Sequence, residues 1–391
     1  MTGLFSRIVT AWPQIVRRTA ANWQLMSSVI VGVLLASSIM AGTVIYFDAL
    51  RELALKNALS KLTVNDTNIV LKSDRGPTTY AERDKVVQET EGEIGARVAW
   101  MLRDSATGVK SATFFLSEVG REATADTDGP RTFFGHLPDL LDHATIEPGG
   151  RPSGDLHIDV SADGIPTIEA LVPADAARDM GAQVGDRFSA IPYWNDSLPY
   201  VHVEITGIYT RNDPEDEYWY LNDRIFKAAT ADTFRTLPFY MTEKAYYELL
   251  GVGFRQLDSV YGWLLMVDTG KLNANNSRLT YADMEAMEDR LTANLFSYRQ
   301  LTELDEALYE YDLRLFFSKL PMFVILVLIS VVILYYVITL SSLVVEQQRG
   351  EIVLLKSRGA SSAQVLSVYV LEGLTIAVVA TVVAPFLAAA A

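Results

Sequence analysis

The stretch that decides the fold is EQQRGEIVLLKSRGA, residues 346–360, which lies between two long apolar runs. Its centre, residues 351–356, begins with an acid and ends with a base, the order that the helix dipole favours. Gly359 then supplies a helix stop. Because a helix this short is marginal alone in water, we expect its apolar side to dock onto a partner protein at a membrane surface.

Three apolar runs are long enough to cross a membrane. Residues 25–47 and 320–345 carry no charge, and at about 1.5 Å per residue each spans the roughly 30 Å hydrocarbon layer. The third run, residues 363–391, is apolar except for Glu372. An acid inside such a run is a candidate functional residue, although snorkelling to the nearby interface or a bond to another helix explains Glu372 equally well.

The charges that flank the first run predict its orientation. Residues 1–24 contain three arginines and no acid, and residues 4–16 place apolar side chains at helical spacing, which predicts an amphipathic helix at the cytoplasmic interface. A disordered basic leader is the alternative. Asp48 follows the run, so the positive-inside rule places the amino terminus in the cytoplasm and residues 48–319 outside.

The balance of charged and apolar residues excludes several classes of protein. With 50% hydrophobic and 21% charged residues, the 391-residue chain is too apolar to be purely soluble and too charged to be a membrane bundle alone. The net charge is −15, and because the residues before 48 carry +3 and those after 319 carry 0, the middle region carries −18. Nucleic acid is therefore not an expected partner. Without cysteine, no disulfide or thiol nucleophile is possible.

The middle region, residues 48–319, predicts an α+β domain on helical stalks. Residues 48–62 and 281–319 contain no Gly or Pro and keep a helical rhythm, so we expect them to form the stalks. Loops rich in Asp, Gly, Pro and Thr are expected to separate a small inserted subdomain from the core. These loops are 123–131, 147–154 and 213–217; strands are expected at 68–71, 111–116, 156–160, 188–191, 200–209 and 261–267, and helices at 80–102 and 242–250.

The sequence lacks the common motifs of catalytic and metal sites. It contains no GxxxxGK[ST] phosphate loop, and its four histidines show no ligand spacing. The acid run 213–217 lacks the regular spacing of a calcium loop, which favours a solvated turn over a cation site. We expect the aromatic run 218–220 to pack against the domain, with contact to a substrate or partner as the alternative. We assign no catalytic residue, metal ligand or cofactor.

The pattern E-x-x-R-x-E-I-x-L-L-K-x-x-G-A, followed by an apolar run that carries a glutamate, resembles the permease subunits of the MacB/FtsX/LolC class of ABC transporters. Residues 177–188 and the following strand 203–209 are also similar to the extracytoplasmic core domain of MacB-like permeases. The resemblance implies that residues 346–362 form a coupling helix and loop that insert into a groove of an ATP-binding subunit. The implied contacts are Arg349, Glu351, Ile352, Leu354, Leu355, Lys356, Arg358 and Gly359.

The resemblance implies a multi-pass protein of the inner or plasma membrane, with an α-helical transmembrane bundle and an α+β extracytoplasmic domain on helical stalks. Its implied role is a non-catalytic permease subunit that exports a lipid, lipoprotein, peptide or drug by mechanotransmission. A dimer of ATP-binding subunits would hold ATP-Mg, and membrane lipids, a second permease half and an extracytoplasmic protein are further implied partners. We also expect a fourth span or a second repeat beyond residue 391. Regulation of a cell-wall hydrolase and a receptor or sensor role are the alternatives.

Overall fold

A computed structural model describes residues 23–121, 129–153, 164–194, 200–227, 234–254, 256–359 and 361–390. The predicted amphipathic helix in residues 1–24 falls almost entirely outside these ranges, and so does the predicted strand 156–160. The chain divides into two compact units. The first unit comprises Met1–Lys56 and Tyr311–Ala391, and the second unit comprises Asn57–Glu310.

Among the described residues, three long helices have the length and apolar composition needed to cross a membrane. Helix α9 has 44 residues, so at 1.5 Å per residue it is about 66 Å long and exceeds the hydrocarbon thickness roughly twofold. A short helix, α10, lies between α9 and α11 in the chain. The bounds are α1, Trp23–Leu59; α9, Leu304–Gln347; α10, Arg349–Ser357; and α11, Ser362–Ala390.

The long helices of the first unit approach one another where side chains are small. A Cβ placed on Gly32 of α1 would lie 2.4 Å from the ring of Tyr336 on α9, so only glycine fits that contact without a shift. A Cβ placed on Gly42 of α1 would lie 3.7 Å from the Cβ of Ala388 on α11. Small residues allow helix backbones to come close, which is how helices commonly associate in lipid. Both glycines therefore serve helix packing.

The strands that the structure describes in the second unit form one sheet of 11 strands. Six of them, in the order β4-β3-β7-β8-β6-β9, close into a ring because β9 also pairs with β4 in parallel. From β4 the sheet continues outward through β2, β10 and β1 to the edge strand β11. The strands are β1, Ile69–Gly76; β2, Leu102–Ser111; β3, Phe114–Glu118; β4, Arg131–His136; β5, Ala144–Gly149; β6, Thr167–Pro173; β7, Arg187–Pro192; β8, Val201–Arg211; β9, Thr236–Tyr240; β10, Ser259–Val267; and β11, Tyr298–Leu301.

The helices of the second unit cover the extended part of the sheet. Helix α3 packs on α8, and α6 packs on β2 and β10. A Cβ on Gly108 or Gly262 would lie within 3 Å of Phe226 or Leu221, so these glycines let α6 approach the strands closely. The helices are α2, Val64–Thr67; α3, Tyr80–Arg97; α4, Leu140–His143; α5, Ala174–Met180; α6, Tyr218–Ile225; α7, Gly251–Gly253; and α8, Ser277–Asn294, with a π-helical segment at Ala245–Leu250.

The prediction of a single stalk over residues 281–319 is wrong. Helix α8 ends at Asn294, β11 pairs with β1, and a new helix begins at Leu304. Met284 and Met287 repeat with helical spacing because α8 buries them inside the second unit. Ser297 has a φ of 47°, a left-handed conformation that a helix cannot contain, so the chain breaks there without glycine or proline.

Other local predictions differ from the structure at element ends. The expected helix 80–102 stops at Arg97, and the expected strand 111–116 is divided between β2 and β3. Strands 68–71, 188–191, 200–209 and 261–267 are found as β1, β7, β8 and β10, with shifted ends. The inserted subdomain is also wrong, because the strands on both sides of the predicted loops belong to one sheet.

Candidate functional site

The candidate site is the short helix α10. Backbone hydrogen bonds at its two ends fix where it begins and where it stops. Gln348 alone separates α9 from α10, and it is only 5% exposed. Its carbonyl accepts a hydrogen bond from the Ile352 amide at 3.0 Å, which closes the first turn. At the other end the Gly359 amide donates to the Lys356 carbonyl at 3.0 Å, and Gly359 has a φ of 91°. Glycine adopts this left-handed conformation without strain, so the predicted helix stop is confirmed.

Two apolar side chains of α10 are open to solvent. Val353 is 63% exposed and Leu354 is 59% exposed. Positions 350, 353, 354 and 357 share one helix face by their spacing of three and four, and nothing lies within 4 Å of a Cβ placed on Gly350. This docking face, Gly350, Val353, Leu354 and Ser357, is therefore apolar at its centre and small at its two ends.

Val353 lies on this face, but it is not one of the positions that the family motif specifies. The motif singles out Leu354 and Leu355, which are neighbours in sequence and therefore about 100° apart around a helix. The spacing of three and four from Gly350 would have identified Val353. Ile352 is half-buried, whereas the side chains of Glu351 and Leu355 lie outside the described part of the structure.

Three cationic side chains flank the docking face. Arg349, Lys356 and Arg358 are exposed, and none of them forms an ion pair with a side chain that the structure describes. Lys356 lies in the last turn of α10, where a positive charge interacts favourably with the helix dipole. An acidic rim around an apolar groove would therefore complement this end of the helix.

Glu372 lies in α11, one of the apolar helices that could span a membrane. Its backbone is helical, but its side chain lies outside the described part of the structure. Its assignment as an intramembrane polar site stays a prediction.

The acid run 213–217 lies directly before α6, and neighbouring groups bind its carboxylates. The Tyr218 amide donates to the Asp216 carboxylate at 3.0 Å, which lowers the pKa of that carboxyl, and His143 lies 2.7 Å from the other oxygen. Arg103 pairs with Glu217. Trp219 is 1% exposed, so the packing interpretation of the aromatic run is confirmed for its central residue.

Comparison with known families points to the same part of the chain. Residues 323–391 match the family model described as FtsX-like permease C-terminal, a range that includes most of α9 and all of α10 and α11. A search of curated proteins found no match to the chain. The docking face thus lies inside a recognised permease domain. The match over residues 323–391 supports a relationship to the FtsX/MacB/LolC class of permeases, and together with the three long apolar helices it points to a membrane protein.

Proposed function

We propose that this chain is the non-catalytic permease subunit of an ABC transporter, with ATP-Mg bound and hydrolysed by a separate dimer of ATP-binding subunits. The observation that carries the proposal is the docking face of α10, an exposed apolar pair on a short helix inside the FtsX-like domain. Val353 and Leu354 are costly to leave in water, and burying each contributes about 1.5–3 kcal/mol. A groove on a partner subunit is the natural place for them.

The proposed topology follows the apolar runs and their flanking charges. Residues 1–24 lie at the cytoplasmic interface, and residues 25–47, 320–345 and 363–391 cross the inner or plasma membrane. Residues 48–319 lie outside, and residues 346–362 form the cytoplasmic coupling segment. Lipid contacts the spans, and two permease halves are required because the ATP-binding subunits act as a dimer.

Helix α9 is the element that would carry the mechanical signal. It is one continuous helix from Leu304 to Gln347, with Pro321 inside it, and α10 follows it after a single residue. A few kcal/mol of differential binding between two conformations of the ATP-binding dimer is enough to shift the permease between two states. Movement of α10 would then reach the outer domain and drive export.

The test is the association of the full chain with its ATP-binding subunit. Val353→Asp combined with Leu354→Asp removes at least about 3 kcal/mol of apolar burial, which predicts an association roughly a hundredfold weaker. The measurement is the amount of phosphate-loop ATPase, identified by mass spectrometry, that co-purifies with the tagged chain from its own membranes.

Leu279→Asp is the matched control, because Leu279 is 64% exposed on a helix of the second unit. This variant should retain the ATPase. Undiminished co-purification with the double variant would refute the assignment of α10 as the coupling helix, as would equal losses in both proteins.

A further inference from the structure

A cleft of about 460 Å³ opens in the second unit between α5, α6 and β9. This volume is within the range of small-molecule sites, roughly 300–1,000 Å³. Its floor is the face of β9 that carries Thr236, Pro238 and Tyr240, and Met180 and Phe226 add apolar surface. The cleft is unrelated to α10, and ligand binding there would not depend on an ATP-binding subunit.

Two hydrogen bonds fix the walls of the cleft. The Tyr240 hydroxyl donates to Asn222 Oδ1 at 2.5 Å and so ties α6 to β9. On the other side, the Arg235 guanidinium donates to the backbone carbonyl of Asp179 and ties β9 to α5. The side-chain oxygen of Asn222 already accepts the bond from Tyr240. The amide N–H groups of Asn222 are therefore the ones left to donate to a ligand. The polar groups of the cleft are therefore preorganised.

The described residues that line the cleft include three cations, Arg211, Lys227 and Arg235, and three anions, Asp175, Asp179 and Asp223. Arg211 and Asp223 satisfy each other through two bonds of 2.8 and 2.5 Å, and the guanidinium stacks on Trp219 at 4.6 Å. The pair occupies the Arg211 guanidinium, so this side chain is not left free to bind a ligand.

The groups left for a ligand lie on opposite sides of the cleft. Lys227 follows α6 and forms no ion pair with a described side chain, although the surrounding region is strongly acidic. Asp175 and Asp179 lie one turn apart on α5, and neither carboxylate pairs with a described cation. One wall thus offers N–H donors and the other offers carboxylate acceptors.

We propose that this cleft binds a zwitterionic ligand of the amino-acid or short-peptide class. Its carboxylate would be held by Lys227 and the Asn222 amide, and its ammonium by Asp175 and Asp179. The apolar floor of Met180, Phe226 and Pro238 would accept the side chains. Charge-assisted hydrogen bonds at both ends supply the affinity and set the orientation.

The test is isothermal titration of the purified full chain with trialanine, free alanine, N-acetyl-trialanine and trialanine amide. Trialanine should bind, and each blocked form should bind at least about tenfold more weakly, because each loses one charge-assisted contact. Free alanine distinguishes an amino-acid ligand from a peptide ligand. If it binds as tightly as trialanine, the ligand is an amino acid, and if it binds more weakly, the ligand is a peptide. No heat from either free-ended ligand at millimolar concentration would overturn the proposal.

Two variants test which cleft residue contacts the carboxylate of the ligand and which contacts its ammonium group. Lys227→Gln should weaken trialanine at least about tenfold while leaving trialanine amide unchanged, because that ligand has no carboxylate to lose. Asp179→Asn should weaken trialanine and leave N-acetyl-trialanine unchanged. Lys271→Gln, outside the cleft, is the control for general charge effects. If both cleft variants weakened all four ligands equally, a folding defect rather than recognition would explain the result and the assignment would be rejected.

Discussion

Lys110 carries its charge at a half-buried position of β2 in the second unit. Its ammonium lies 5.0 Å from the centre of the Phe133 ring and forms no ion pair with a described side chain. Burial, and secondarily the charge of Lys72, lowers the pKa of Lys110 to about 8, against a slight opposing effect of Asp74. The folded protein therefore holds this proton less tightly than the unfolded chain does.

The lowered pKa of Lys110 predicts a pH-dependent stability. The unfolded chain keeps the proton up to a pH near 10.5, so between pH 8 and 10.5 it binds more protons than the folded protein, and stability rises with pH. Below pH 8 the buried ammonium lowers the free energy of unfolding by its full cost, about 3 kcal/mol. Lys110→Met removes that cost but also the contact with Phe133, worth about 1 kcal/mol.

We therefore expect Lys110→Met to be more stable than the natural protein by about 2 kcal/mol at pH 7, and the gap to shrink towards pH 10. Thermal unfolding of both proteins at each pH measures this difference. Lys271→Met, whose ammonium instead donates to the Leu102 carbonyl at 2.8 Å, should gain no stability. A gap that is absent at pH 7, or that does not change with pH, would contradict the interpretation.

At the scale of elements, the contact between α1 and α11 can be measured directly because the chain contains no cysteine. The Cβ separation of 3.7 Å at Gly42 and Ala388 matches the spacing of about 3.8 Å found in disulfides. Gly42→Cys with Ala388→Cys should form an intramolecular disulfide under mild oxidation, seen as a mobility shift that reductant reverses.

Gly42→Cys with Val382→Cys is the matched control, because Val382 is 61% exposed on the same helix. This pair should stay reduced under the same conditions. Equal cross-linking of both pairs would indicate that α1 and α11 have no fixed contact.

Elements whose signals are local were predictable from the sequence. The acid, the bases and Gly359 mark α10 within a dozen residues, and the alternation around Val203 marks β8. The closure of the ring was not predictable, because β4 and β9 are about a hundred residues apart and meet only in the folded unit. The same holds for β11, whose four residues follow a helix without a glycine or proline between them.

The cleft in the second unit could not be predicted from the sequence, for a related reason. Lys227, Asp179 and Tyr240 come from separate elements, and no spacing along the chain connects them. The docking face was partly within reach, since Leu354 belongs to the family motif and only Val353 required the helical face. Long-range contacts, more than local propensity, separate what a single sequence predicts from what the fold contains.

At the scale of the whole molecule, we propose that an acidic outer domain and a docking helix flanked by three cations lie on opposite sides of a membrane. Residues 48–319 carry a net charge of −18, whereas Arg349, Lys356 and Arg358 lie around α10. The positive-inside rule assigns the basic segment to the cytoplasm. A subunit that couples ATP hydrolysis to movement outside requires this arrangement, because an ATP-binding partner must reach α10 from the cytoplasm.

The most direct measurement is the labelling of single cysteines in intact cells with a membrane-impermeant maleimide. Arg121→Cys, at a side chain 74% exposed in the second unit, should be labelled from outside. Ser362→Cys, in the proposed cytoplasmic segment 346–362 but outside the docking face, should be labelled only after the membrane is permeabilised. Labelling of both cysteines from the same side would contradict the account.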